Sequence, residues 1–377
     1  MSNSNANPLL TPWSGPYGLP PFIQTRPEHY EPAFEVAFDA HRAELAAIVA
    51  NPLPASFANT VVAFDRAGWL FNRLYDMFSN LAAAETSDAL QKVELALVPR
   101  IASHRTAIYM DEKLFARIDA VKQSIEAAGL SREDGRLLDR IHFDFVRQGA
   151  QIAAASRQRY ADIVARLAEL TTQFAQNVLK DETDWVLWLE GEADLAGLSP
   201  SLRDAARAAA QTRGKPDGYA ITLSRSSVVP FLTFSERRDL REQAFTALIT
   251  RGAHAGPTDN RQLAVQILQL RAEQARLHGY ATFADYALVD RMAKTPAAAR
   301  GLLMQAWTPA VARMNDDEAA LDAMRVRHGQ SEPLAKWDWR FYAEKLRKAR
   351  FDLDDAEVKP YFELNAIREA AFYTANR

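Results

Sequence analysis

Seven histidines, His29, His41, His104, His142, His254, His278 and His328, are spread along 377 residues, and no two lie closer than twelve positions. A zinc hydrolase built on a helix needs two histidines four residues apart, so that both imidazoles leave one face, with a glutamate beside the first to activate water. That HExxH arrangement is missing here. Cysteine is absent as well, which removes thiolate nucleophiles, disulfides and Cys-based metal sites. The tightest local grouping is Asp139, His142 and Asp144, in which Asp139 and His142 can share a helix face. An ion pair or a capped histidine accounts for it more simply than a metal. Neither a GxSxG serine elbow nor the glycine-rich phosphate loops GxGxxG and GxxxxGK[ST] occur. The acidic run Asp316-Asp317-Glu318 and the basic run from Lys345 to Arg350 sit in helical patterns and read as solvated faces. From these residues the expected set of catalytic and metal-ligating side chains is empty.

One stretch resists assignment to a helix's own core. Trp337-Asp338-Trp339-Arg340-Phe341-Tyr342 places four aromatics in six residues, and at 3.6 residues per turn they cannot all face one way. Two readings stay open. The cluster is either a plug packed between domains or a wall for peptides, where aromatics offer stacking and apolar surface with few polar groups.

The elements that must position such residues are mainly helical. Lys and Arg total 45 against 48 Asp and Glu, a net charge of −3 that excludes a basic nucleic-acid surface as the main theme. With 48% hydrophobic and 25% charged residues the chain can bury a large core, and with 15 Gly and 18 Pro it has too few turn residues for an all-β fold. Met1 to Gly15 shows no signal-peptide pattern, and no window approaches the roughly 18 apolar residues that span a bilayer. A soluble, cytoplasmic protein is expected.

Six prolines between Asn7 and Pro27 predict an extended start. Periodicity then predicts helices over 31–49, 57–78, 87–109, 112–127, 131–146 and 154–180. Ser87 and Ser131 stand as N-caps of two of them. Short runs at Trp185–Leu189 and Tyr219–Leu223, the second preceded by a turn-rich Arg213 to Gly218, predict a small antiparallel pair with a helix over 201–212 inserted. Helices resume over 235–251, 259–278, 282–290, 296–327, 339–350 and 361–377. The expected organisation is an extended segment 1–27, a helical region 28–183, a small α+β insertion 184–234 and a helical region 235–377. The last helix is strongly apolar, so Phe362, Ile367 and Phe372 are expected to be more exposed than core aromatics, as if a continuation that packs on them were missing.

Several landmarks fit together: Asn7-Pro8-Leu9-Leu10; Arg26-Pro27-Glu28-His29-Tyr30-Glu31-Pro32-Ala33-Phe34; Met292-Ala293-Lys294-Thr295-Pro296; Trp337-Asp338-Trp339 with Phe341-Tyr342-Ala343-Glu344. Phe351-Asp352-Leu353-Asp354 and Val358-Lys359-Pro360-Tyr361-Phe362-Glu363-Leu364-Asn365, running on to Thr374-Ala375-Asn376, complete the set. In order and spacing the chain resembles the N-terminal half of the thimet-oligopeptidase family of zinc metallopeptidases, in particular the members that remove C-terminal dipeptides. The resemblance implies a mostly helical fold, one half of an ellipsoid divided by a channel, with zinc at the channel floor held by an HExxH helix and a further Glu. Those ligands, the general base and the oxyanion-stabilising Tyr and His belong to a part of the family sequence beyond Arg377, so none is carried onto a residue here. The resemblance thus implies one channel wall, inactive and zinc-free by itself, with Trp337, Trp339, Phe341, Tyr342 and Tyr361 as candidate substrate-channel residues. Its implied partners are short peptides and a missing catalytic half, with no nucleic acid or membrane, in a monomer. An oligo-endopeptidase and a non-enzymatic helical peptide- or partner-binding module are the alternative functions.

Overall fold

The computed structural model describes residues 7–124, 129–352 and 355–377. The fold is mostly helical with one small antiparallel strand pair, as the sequence pattern predicts. After the described residues 7–29, which hold no regular element longer than the 3-10 turn Pro16–Gly18, comes α1 (Tyr30–Val49), whose Phe34, Phe38, Leu45 and Ile48 are all buried. The single helix expected over 57–78 is instead a π-helical turn Phe57–Val62, α2 (Ala63–Arg66) and α3 (Trp69–Ala84). Gly68 causes the break: its φ of +75° is costly for any other residue, and a Cβ there would come within 2.5 Å of the His41 ring. The Glu44 carboxylate accepts from the Gly68 amide at 2.6 Å and fastens the turn to α1.

Next come α4 (Asp88–Tyr109), α5 (Glu112–Gln123) and α6 (Arg132–Arg147). The Ser87 hydroxyl accepts from Leu90 N at 3.2 Å and the Ser131 hydroxyl from Asp134 N at 3.1 Å, the capping chemistry expected of both serines. The last residues of the helix predicted over 112–127 lie outside the described ones. Beyond α7 (Arg157–Asp184), β1 (Val186–Leu189) pairs with β2 (Tyr219–Thr222) in the register Val186 to Thr222 and Leu189 to Tyr219. Between the strands, α8 (Pro200–Gln211) starts with proline in its first turn, where the missing N–H costs nothing.

The pattern missed α9 (Arg225–Phe234), because Val228-Val229-Pro230 reads as strand or breaker. Burial of Val228, Phe231 and Leu232 overrides that local preference. The remaining helices are α10 (Arg238–Ile249), α11 (Arg261–Leu277), α12 (Phe283–Leu288), α13 (Pro296–Arg327), α14 (Trp339–Phe351), α15 (Asp355–Val358) and α16 (Leu364–Ala375). The helix expected from 361 starts later: Lys359–Phe362 is a 3-10 turn, Glu363 is extended, and its carboxylate caps Ala366 N at 2.9 Å.

The chain divides into two discontinuous units, Met1–Gln176 with Gln262–Pro296, and Asn177–Arg261 with Ala297–Arg377. The linear segments read from the sequence do not anticipate this division. In the first unit one core gathers Leu9, Tyr30, Phe34, Phe71, Leu74 and Phe78, and another gathers Ile118, Leu138 and Phe145. The second unit has a core on the strand pair, around Leu195, Val228 and Phe231, and a smaller one of Leu321, Met324, Phe341 and Tyr342. Phe362, Ile367 and Phe372 are 62%, 43% and 58% exposed, matching the expectation for the last helix, and Leu302, Leu303 and Trp307 on α13 are also exposed. Among the described residues no helix is long and apolar enough to cross a membrane.

Candidate functional site

The aromatic cluster is organised by the one acidic residue inside it. Pro333 and the 3-10 turn Lys336–Asp338 lead into α14, and the turn brings Asp338 back so that its Oδ2 accepts from Ala335 N at 3.0 Å. Arg241 on α10 donates to Asp338 Oδ1 at 2.7 Å, and Arg238 donates through Nη2 to Oδ2 at 3.0 Å. Asp338 and Arg241 are essentially without solvent contact, at 0% and 1% exposure. A second Arg241 nitrogen donates to Ser235 O at 2.7 Å, and its guanidinium lies 4.0 Å from the Phe341 ring centre. Burial alone would raise the Asp338 pKa, but the hydrogen bonds from Arg238, Arg241 and the Ala335 amide outweigh it and hold the carboxyl below its ordinary value. Burial pulls the Arg241 pKa down, and Asp338 opposes that shift.

The Arg238 guanidinium lies 5.7 Å from the Trp337 ring centre. Trp337, Trp339, Leu232, Phe245, Lys336 and Arg340 line a pocket of about 360 Å³. The Phe245 and Trp337 ring centres are 6.5 Å apart, and Trp339 packs with its other side against the core of Leu321 and Met324. Lys336 and Arg340 are exposed and have no carboxylate partner among the described residues. Of the five residues expected to line a substrate channel, the structure brings only Trp337 and Trp339 to this pocket. Phe341 and Tyr342 are buried in the core beneath, and Tyr361 is 82% exposed and does not line the pocket. Positions 339 and 342, three apart on α14, both meet the core of Leu321 and Met324, whereas Phe341 turns toward the Arg241 guanidinium.

The histidines are engaged separately. His41 Nδ1 and His104 Nε2 lie 3.1 Å apart in the interior of the first unit, so a single proton lies between them. Burial first, then the neighbouring His41, Arg42 and Arg105, pull the His104 pKa down to about 4. His41 is also lowered by burial, against the pull of Glu44. His142 Nε2 meets Asp119 at 3.0 Å, whereas Asp139 pairs with Lys122 and Asp144 with Arg140, so the Asp139, His142 and Asp144 grouping does not converge. His254 Nε2 meets Asp181 Oδ2 at 2.7 Å, beside Gly252 N donating to the same oxygen at 2.7 Å. Burial, then Arg147, brings the His278 pKa to about 4 as its ring stacks on Tyr286. Among the described residues no three His, Asp or Glu side chains form a group that could hold a metal ion. The described side chains do not fit a zinc donor set. The pairs His41 with His104 and Asp181 with His254 have partners 63 and 73 positions apart, separations for which sequence spacing gives no signal.

Residues 231–377 match the model of peptidase family M3. A dipeptidyl carboxypeptidase of Escherichia coli (strain K12) is 36% identical over 372 residues, which cover 98% of this chain and 55% of that protein. An oligopeptidase A of Haemophilus influenzae is 31% identical over 378 residues, covering 99% of this chain and 55% of its own length. A probable cytosolic oligopeptidase A of Arabidopsis thaliana is 25% identical over 377 residues, 98% of this chain and 53% of that protein. The chain spans about half the length of the curated relatives it matches.

Proposed function

We propose that this chain, which belongs to peptidase family M3, forms the substrate-contacting portion of a zinc metallopeptidase that removes dipeptides from the C-terminus of short peptides. The observation that carries the reading is the pairing of two facts. Identity to a dipeptidyl carboxypeptidase runs along 98% of the chain, and that stretch spans 55% of that protein. Zinc chemistry, polarising the scissile carbonyl and activating water, would come from residues that this chain does not contain. What these residues contribute is the handling of the peptide, and Trp337 and Trp339 are the proposed contact surface.

A second reading, internal cleavage of oligopeptides, is supported by the 31% identity to a protein named oligopeptidase A. The two readings predict different products from one substrate. A cytoplasmic location and a monomeric state belong to the same proposal, and a relative named as cytosolic supports the location. The test is zinc content together with hydrolysis of an N-blocked tripeptide by the purified chain, with and without the C-terminal portion of an M3 relative. We expect no stoichiometric zinc and no turnover from the chain alone, and release of a dipeptide once the second portion is supplied. Stoichiometric zinc with turnover by the 377 residues alone overturns the proposal. Zinc-free, inactive chain that binds peptides yet gains no activity from the second portion would make it a binding module.

A further inference from the structure

We propose that the pocket between Trp337 and Trp339 takes an aromatic side chain that has a carboxylate-bearing residue next to it, so that the preferred peptides carry an acidic residue beside Phe, Tyr or Trp. The inference rests on the reading that the chain handles peptides, and it names the class of sequence that one site selects. Trp337, Trp339, Phe245 and the edge of the buried Leu232 give the pocket an aromatic, apolar lining of the kind that takes a flat ring out of water. A volume of about 360 Å³ is at the small end for ligand pockets and suits one ring with its flanking group, not an extended segment.

The charge at the opening selects the neighbour. Lys336 and Arg340 both line the pocket, both are exposed, and neither has an acidic partner among the described residues. The three nearest carboxylates in sequence are engaged elsewhere, Glu344 on α14 pairing with Arg347. Asp338 is sealed at 0% exposure and shared by Arg238 and Arg241, and Glu332 pairs with Arg238. A bare apolar ligand would leave both cations without a counter-charge, and a cationic one would be repelled. An anion close to the ring satisfies both features of the site, bidentately where it meets the Arg340 guanidinium. Net charge here is local, since the chain as a whole stands at −3.

The experiment is calorimetric titration of the chain with Ac-Glu-Phe-NH2, Ac-Lys-Phe-NH2, Ac-Glu-Ala-NH2 and 3-phenylpropionate, with the indole N–H resonances of Trp337 and Trp339 followed by NMR. Ac-Glu-Phe-NH2 should bind at least tenfold more tightly than the lysine or alanine peptide and shift both indole resonances. The double variant Lys336→Gln/Arg340→Gln should weaken it about tenfold, and Lys336→Glu/Arg340→Glu should reverse the order so that Ac-Lys-Phe-NH2 binds better. Both positions are exposed, so an unchanged melting curve separates lost recognition from lost fold. Equal affinity for all three peptides in native and variant chains overturns the pocket assignment and leaves the peptide reading standing. Binding of 3-phenylpropionate with the same charge dependence, but of no peptide, upholds the pocket and overturns the peptide reading. No binding by any probe overturns both.

Discussion

At the scale of single residues the sharpest consequence concerns Asp338. It faces two guanidinium groups and is itself closed to water, and removing its charge leaves the buried Arg241 without a carboxylate and Arg238 with Glu332 alone. Asp338→Asn keeps the shape and should still cost about 3 kcal/mol of stability, in the range seen when one partner of a buried pair is removed. Urea denaturation at pH 7 checks this, and a loss under about 1 kcal/mol would show that the cluster is not a structural anchor. The pH sign follows from the direction of the shift. A carboxyl held below its unfolded value of 3.8 contributes fully above that value and loses its contribution as pH falls through the lower folded pKa, so native chain should weaken below about pH 4 and the variant should show less of that limb. His104 works the other way. Its folded pKa of about 4 lies under the unfolded 6.5, so the unfolded chain binds the extra proton first and stability falls as pH drops from 6.5 toward 4. The groups facing the pair are Glu44, Arg42 and Arg105, and only Glu44 would favour the imidazolium of His41. His104→Gln should flatten that slope by on the order of 2 kcal/mol across the window, read from urea midpoints at stepped pH. An unchanged slope would place the acid sensitivity elsewhere, His278 being the other deeply shifted imidazole.

At the scale of elements the turn at Gly68 decides where a long apolar pattern breaks. Gly68→Ala must hold a left-handed φ and press a methyl into the His41 ring, so a loss of about 3 kcal/mol is expected. A melting temperature within 1 to 2 °C of the native value would mean that α1 and α3 can move apart there. The same turn shows what sequence could and could not reveal. Ser87 and Ser131 announce helix starts because a cap is a contact between residues three positions apart. The buried stripe of α1 is legible for the same local reason, since 3.6-residue spacing puts Phe34, Phe38, Leu45 and Ile48 on one face. The break at Gly68 had a local signal in the glycine itself, whereas the helix over Val228-Val229-Pro230 depends on what packs from far along the chain, against local preference. The aromatic cluster was legible as an anomaly. Its division into two pocket walls and two core residues was not, because Arg241, almost a hundred positions earlier, determines which rings are drawn inward.

At the scale of the whole molecule the issue is the apolar surface of the second unit. A helix of twelve residues is marginal in water unless tertiary packing holds it, and α16 has no buried residue. Its Phe362, Ile367 and Phe372, and Leu302, Leu303 and Trp307 on α13, form more exposed apolar surface than isolated side chains on an ordinary monomer surface explain. If zinc chemistry comes from a second portion, as proposed above, that portion is the occupant predicted for this surface. Hydrogen exchange by mass spectrometry gives a direct measure. In the chain alone, amides of residues 364–375 should exchange within about tenfold of the unprotected rate. Adding the C-terminal portion of an M3 relative should slow them a hundredfold or more, and Phe372→Glu should abolish that slowing while leaving the cores around Phe34 and Phe231 unchanged. Strong protection of this helix in the dilute chain, with no response to the added portion, would mean that α16 is stable by itself and would remove the energetic reason for a covering partner.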